Sequence, residues 1–276
     1  MADGPIYYKT EEEVELIRQN CLLVCKTLAE VGSMLKPGVK SSELDKRAEE
    51  FIRDHGAEPG FLHYGEPPFP GTLCISINEQ VVHGVPSDRE FQDGDVASID
   101  CGVDWNGFYG DAAYTFPIGD VAEPTMELLR VTKASLYKGI ENAVVGKRLG
   151  DIGFAIQNYI HKRGYTIVRE LVGHGLGKNL HEAPEVPNYG RRGKGGKLLD
   201  GLVIAIEPMV NMGRKDVVTS SDGWSIIAKD RRPSAHFEHT VVVRKGKADI
   251  LSDHSFVEKV IQNNPNLKEV DALVLA

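Results

Sequence analysis

Four carboxylates in this chain adjoin short apolar runs and have the chemistry to hold divalent cations between them. Asp100 and Asp111 lie in SIDCGVDWNGFYGDAAYTF, Glu207 ends the run LVIAI, and Glu238 stands just before HTVVV. Asn106-Gly107 is a type I′ hairpin signal. With those two residues as the loop, Trp105 faces Phe108, Gly102 faces Asp111 and Asp100 faces Ala113. The period of two then puts Asp100 and Asp111 on one sheet face as diagonal neighbours, with backbones roughly 7–8 Å apart. A bulge would shift this register by one residue. Two acids on one face repel unless something positive lies between them. One acid near a strand end is ordinarily a solvated residue; four in matching places are not so easily explained. His174, in LVGHGLGKNLH, adds an imidazole. Four carboxylates balance two divalent ions. Oxygen-rich ligation with one nitrogen suits Mn, Fe, Co or Zn at a catalytic centre rather than a closed thiolate site. Two such ions roughly 3.5–4 Å apart would activate a water and polarise an amide carbonyl, so metal-assisted hydrolysis is the expected chemistry.

The elements that must position these residues show an internal repeat. GVKSSELDKRAEEFIRDHG (38–56) and GKRLGDIGFAIQNYIHKRG (146–164) match at a shift of 108, placing Leu44 on Ile152, Ala48 on Ile156 and Ile52 on Ile160. These positions follow helical spacing, with Gly56 and Gly164 as C-terminal caps. Thr10 and Glu13 form a capping box ahead of Val14, Ile17, Cys21, Val24 and Leu28. The corresponding helix of the second half is expected from about Pro124 to Val145. Asp93-Gly94 before VASID then pairs with Asp200-Gly201 before LVIAIE, and YGD before AAYTF pairs with HFE before HTVVV. Helices followed by strands without strict βαβ alternation predict an α+β fold with antiparallel pairing. The halves are about 1–119 and 120–250 in a single domain, with 252–276 as an extension. Pseudo-symmetry puts the Glu207/Glu238 pair across an axis from the first pair.

Composition excludes several classes. The 276 residues carry 32 Lys+Arg against 40 Asp+Glu, a net charge of −8, which disfavours a protein whose main task is coating nucleic acid. Four cysteines make neither a disulfide framework nor paired zinc knuckles, and Cys21 and Cys25 fall on an apolar helix stripe. No run approaches a membrane span and the first residues lack a signal-peptide pattern, so a cytoplasmic protein is expected.

NEQVVHGVP, IDCGVDWNGFYGD, GHGLGKNLHEAPEVPNYG, IEPMV, DGWSIIAKD and SAHFEHTVVV together resemble the motif series of type I methionine aminopeptidases, in order from about residue 10 to 252. The resemblance implies the pita-bread fold and an enzyme that removes the N-terminal methionine of nascent chains when the second residue is small. It implies Asp100, Asp111, His174, Glu207 and Glu238 as ligands of two divalent ions. Asp111 and Glu238 would bridge both, Asp100 would hold one, and His174 with Glu207 the other. It also implies Glu207 as proton acceptor, His83 beside the substrate and the peptide nitrogen, and His181 near the scissile peptide. For the side-chain pocket it points to Tyr64, Phe69, Cys74, Leu180 and Trp224, although the segment 59–71 is slightly longer than the family's usual version. A monomer is the family default.

The tail after Leu251 runs past the family's usual end, with one short helix expected before Pro265 and a surface or frayed character overall. The basic loop Arg191–Lys197, RRGKGGK, reads as solvated, with docking to ribosomal RNA as the functional alternative. Prolidases and aminopeptidases P use a similar ligand set, but they carry an additional N-terminal domain, and only 99 residues precede Asp100 here. A binding-only pita-bread module would lose ligands that this sequence keeps.

Overall fold

Thr10 caps the first helix, α1 (Glu11–Met34), in the computed structural model, which describes residues 4–271. The Thr10 hydroxyl accepts from the Glu13 N–H at 3.3 Å, and the Glu13 carboxylate accepts from the Thr10 N–H at 3.0 Å. Two of the helix's orphan amides are thereby satisfied. The apolar stripe of α1, including Cys21 and Cys25, is buried, and both thiols are free. Next come α2 (Ser41–Asp54), α3 (Glu123–Ile140) and α4 (Leu149–His161). The starts of α2 and α4 are 108 residues apart (149 − 41), the shift that the sequence repeat predicts. Helix α3 stops at Ile140, short of the expected Val145. Val144 there bridges Arg244 and the Val145 N–H donates to the Arg244 carbonyl at 3.0 Å, so tertiary pairing replaces further helical turns.

The long hairpin Val96–Trp105/Phe108–Pro117 has the register expected from its loop: Trp105 opposite Phe108, Gly102 opposite Asp111 and Asp100 opposite Ala113. Asn106 (φ 56°) and Gly107 (φ 77°) both take the left-handed backbone that a type I′ turn requires. Strand Leu73–Ile77 pairs with Val96–Trp105, and Glu58–Pro59 pairs with its far end. The second half builds a five-stranded sheet in the order Asp249–Ile250, His239–Val242, Val203–Ile206, Gly173–Gly175, Glu182–Val186. All pairings between these strands are antiparallel.

The halves meet along the strand Phe108–Pro117. The Glu238 N–H donates to the Ala113 carbonyl at 3.0 Å, and the Thr240 hydroxyl donates to the Asp111 carbonyl at 2.7 Å. The Thr115 hydroxyl donates to the His236 carbonyl at 2.6 Å. One apolar cluster, running from Leu23 to Val270, draws on both halves.

The tail differs from the expected surface or frayed segment. Helix α5 (Ser255–Asn263) packs on α1 and buries Val257 and Ile261; Leu267 and Val270 are buried beyond it. The Asn264 amide donates to the carbonyls of Gly32 and Leu35 at 3.1 and 2.8 Å, supplying the acceptors that end α1 with a donor. The Lys133 ammonium, itself buried, donates to Glu258 at 2.8 Å and to the Val270 carbonyl at 2.9 Å. Apolar residues at 257, 261, 267 and 270 had a groove to fill, so the tail is part of the core. Residues 272–276 lie outside the described residues.

Arg191–Lys197 is exposed, as expected of a solvated loop. Its backbone is nonetheless tied to the start of α4, with the Leu149 N–H donating to Gly196 and the Gly150 N–H to Lys194. Among the described residues, no helix is long and apolar enough to cross a membrane.

Candidate metal centre and active site

The two hairpin acids and the two acids of the second half converge across the junction between halves. Asp100 rises from Val96–Trp105 and Asp111 from the paired strand, diagonal neighbours on one face. Glu207 directly follows Val203–Ile206, and Glu238 sits between Ser234–His236 and His239–Val242. His174 lies in Gly173–Gly175, with Nε2 3.7 Å from Asp111 and 3.6 Å from Glu207. Its Nδ1 is 2.9 Å from the Gly175 carbonyl. A carbonyl only accepts, so Nδ1 carries the proton and the Nε2 lone pair faces the acids.

The donor set fits a divalent cation. Ligand atoms of Asp111, His174 and Glu238 all lie within 4.8 Å of one another. One oxygen each of Asp100, Asp111 and Glu238 is buried without a hydrogen-bond partner. A native interior leaves such atoms only where something else satisfies them. Burial drives the Asp100 pKa up to about 7. Burial and then the charges of Asp100 and Glu207 push Asp111 well above the carboxylate range, and burial followed by Asp100 does so for Glu207. Glu238 is raised in the same way, with Asp111 the strongest of its charged neighbours. A cluster of acids that cannot all ionise together calls for positive charge.

Beside these acids lies a cavity of about 120 Å³, lined by Phe61, Tyr64, Phe69, Cys74, Leu180 and Trp224, and also by His83 and His181. Cys74 is the cross-strand partner of Asp100, so the apolar wall begins next to the carboxylates. The Trp224 ring meets Phe69 edge-on at 5.2 Å and His83 at 6.3 Å. His83 adopts φ 57°, a left-handed backbone uncommon for a non-glycine residue. Burial lowers the pKa of His83, and takes that of His181 down to about 3, so His181 is a neutral imidazole. Its ring meets that of His174 edge-on at 4.3 Å, and Nδ1 is 2.6 Å from the Tyr64 hydroxyl. The structure thus brings together all twelve residues singled out from the sequence.

Four further residues belong to the site's framework. Phe61 packs against Gly102, where a Cβ would lie 2.5 Å from its ring. A glycine on the Asp100 face of a strand was the available signal for that close approach. His236 Nε2 is 3.8 Å from Glu207 and buried without a hydrogen-bond partner. It stands two residues before Glu238, a same-face spacing that could have drawn attention to it. The buried Lys9–Glu182 pair, 2.6 Å apart, ties the N-terminal segment to the strand that follows His181. Nothing in a single sequence links residues so far apart.

Acids joined across a pseudo-symmetric α+β junction beside an apolar cavity define a metal-dependent hydrolase. Metallopeptidase family M24 matches residues 15–245. The chain is 48% identical over 248 residues to a methionine aminopeptidase of Clostridium perfringens, covering 90% of this chain and 98% of that protein. The crystal structure of methionine aminopeptidase from Rickettsia prowazekii superposes with a TM-score of 0.88 at 39% identity, over 90% of this chain and 100% of that one. An X-Pro aminopeptidase from Thermotoga maritima shares the fold at a TM-score of 0.71 and 20% identity, but this chain covers only 62% of it. The chain therefore belongs to metallopeptidase family M24 and, within it, to the methionine aminopeptidases of pita-bread fold.

Cation uptake should expel protons. Asp100 is raised to about 7 and Asp111 and Glu238 well above their ordinary values, so the cluster takes up protons as pH falls below about 7, and a cation competes only for the ionised set. His174, pushed down to about 4 by burial, is already neutral there and contributes nothing. The Mn²⁺ affinity of chelator-stripped protein should weaken about tenfold per pH unit for each proton displaced, between about pH 7.5 and about pH 6. Titration calorimetry in buffers of different ionisation enthalpy counts the protons, and proton-neutral binding at about pH 6.5 would contradict this account.

Proposed function

We propose that the chain excises the N-terminal methionine of newly made proteins whose second residue is small, using two divalent ions drawn from Mn, Fe, Co or Zn. The observation that carries this reading is the convergence of Asp100, Asp111, His174, Glu207 and Glu238 from both halves beside one apolar cavity. Cations held by that set supply Lewis-acid polarisation of the first peptide carbonyl and bring the pKa of water toward neutrality. By the family resemblance, Asp111 and Glu238 would hold both positions, with Asp100 completing one and His174 and Glu207 the other.

The remaining steps belong to side chains. Glu207 accepts the proton of the attacking water at a carboxylate oxygen. His181 donates to the carbonyl oxygen as negative charge develops on it, and His83 contacts the peptide nitrogen as the bond breaks. Tyr64, Phe69, Cys74, Leu180 and Trp224 receive the methionine side chain: a thiol and aromatic faces suit an unbranched, polarisable thioether.

Chelator-stripped protein should release free Met from Met-Ala-Ser only after Mn²⁺ or Co²⁺ is added, and should leave Met-Leu-Ser and a Xaa-Pro peptide intact. Cleavage of the Xaa-Pro peptide alone would transfer the chain to the prolidase reading. Silence on all three with metal bound would leave a binding module.

The enzyme is proposed to act as a monomer in the cytoplasm. Its access to nascent chains is proposed to include a contact between the exposed residues Arg191, Arg192, Lys194 and Lys197 and ribosomal RNA, beside Lys147 on the same exposed edge. Neutralising those four charges should weaken co-sedimentation with ribosomes without changing hydrolysis of Met-Ala-Ser. Unaltered co-sedimentation would dispose of the contact.

A further inference from the structure

The segment from Phe61 to Phe69 folds back on itself at the mouth of the cavity. The His63 N–H donates to the Phe69 carbonyl at 2.8 Å, the Tyr64 N–H to Phe61 at 2.9 Å, and the Phe69 N–H to Tyr64 at 2.8 Å. Gly65 takes φ 77° under the Trp224 indole, where a Cβ would lie 2.7 Å from the ring. These bonds fix the Tyr64 backbone, while its side chain, part of a residue 38% exposed, reaches across to His181. The hydroxyl lies 2.6 Å from Nδ1 and the two rings tilt at 53° with centroids 5.1 Å apart.

We propose that Tyr64 is a positioning residue for His181: its phenol donates to Nδ1 and thereby keeps the imidazole proton on Nε2, ready for the carbonyl oxygen of the scissile peptide. This rests on the role given above to His181. A neutral imidazole has one donor and one acceptor nitrogen, and the hydrogen bond at one decides the character of the other. The competing neighbour, His174, cannot set the tautomer, because its Nδ1 proton is engaged by the Gly175 carbonyl and its Nε2 faces the acids. Burial raises the pKa of the phenol further, so it stays a donor across the working range. The same device holds the ring in one orientation, because rotation about its bond to Cβ would break the contact with Tyr64.

Tyr64→Phe keeps the ring, and so the cavity wall, while removing the hydroxyl alone. Its kcat on Met-Ala-Ser should fall about tenfold with KM changed less than about twofold, the pattern of a lost transition-state interaction. In a His181→Ala background the same substitution should cost nothing further, since the phenol then has no imidazole to orient. Nitrogen-15 histidine spectra give a readout independent of turnover, with His181 assigned by the signals lost in His181→Ala. The native ring should show Nε2–H, and Tyr64→Phe should shift it toward a mixture. An unchanged kcat in Tyr64→Phe, equal losses in both backgrounds, or an Nδ1–H tautomer in the native protein would each overturn the proposal. Full kcat in His181→Ala would instead show that the role of His181 itself is wrong.

Discussion

Asp111→Asn should abolish metal-dependent release of methionine and, in the same protein without metal, raise the unfolding temperature at pH 8. The carboxylate is buried, has an oxygen with no hydrogen-bond partner, and lies within ligand distance of His174 and Glu238. An amide of the same shape offers a neutral, weaker ligand and half the acceptor capacity, so activity should drop at least about 10³-fold. The gain in metal-free stability has a definite sign. Burial and then Asp100 hold the folded-state pKa of Asp111 well above its unfolded value. The folded state therefore binds more protons than the unfolded state between those two values, and stability falls as pH rises through that window. Ionising Asp111 inside the folded cluster is unfavourable at pH 8; below about pH 4, where the acids are protonated in both states, the difference between variant and native protein should vanish. Because the shift is upward, removing the carboxylate can only raise metal-free stability at pH 8 relative to the native protein. The buried histidines also titrate in acid, but they are present in both proteins and cancel in the comparison. Thermal unfolding in a chelating buffer at two pH values measures the effect. An Asp111→Asn protein less stable than the native one at pH 8 would show that the acids are held by something other than a missing cation.

Val257→Asp should lower the unfolding temperature by roughly 10 °C, the expected consequence of about 3–5 kcal/mol in a chain of this size. Val257 is fully buried between α5 and α1, and Ile261 follows one turn later on the same face. A carboxylate there has no partner, so it must either remain buried and unpaired or eject the helix. Ejection removes the Asn264 bonds to the end of α1 and both tail partners of Lys133, Glu258 and the Val270 carbonyl. It also frees the end of the strand Phe108–Pro117, to which the tail is bonded by the Lys268 N–H on the Pro117 carbonyl and the Gly119 N–H on Asn266. That strand carries Asp111, so metal retention should weaken along with stability. Glu258→Gln, altering a half-exposed partner on the same helix, should cost less than about 1 kcal/mol by comparison. A Val257→Asp protein that melts like the native one while its tail becomes sensitive to protease would mean that the tail is a detachable strap.

What the sequence disclosed follows the range over which its signals act. Asn106-Gly107 determines the register of ten residues on either side, because turn and strands share one backbone geometry, and that register sets Asp100 and Asp111 on one face. The repeat at a shift of 108 carried the same inference into the second half and brought Glu207 and Glu238 into view. His83, His181 and the pocket residues came from resemblance alone; no local pattern marks a side chain that acts only through its neighbours. The end of α3 is not legible in its own sequence, because Val144 and Val145 pair with Arg244, a hundred residues away. The tail showed its apolar spacing at 257 and 261, but the groove on α1 that this face fills is a tertiary fact. Tyr64 and His181 are 117 positions apart, and their contact could be found only in the folded chain.

The packing of the first helix against the last also sets a timetable. Asn264 bonds to Gly32 and Arg18 to Asp249, contacts that span 232 and 231 positions. At roughly 5–20 residues per second of synthesis, α1 waits on the order of ten seconds or more for its partner. Contacts of such long range make for slow closure. The metal centre has the same schedule, since Glu238 joins Asp111 only after both halves exist. During its own synthesis this chain is therefore a polypeptide that cannot yet do its work.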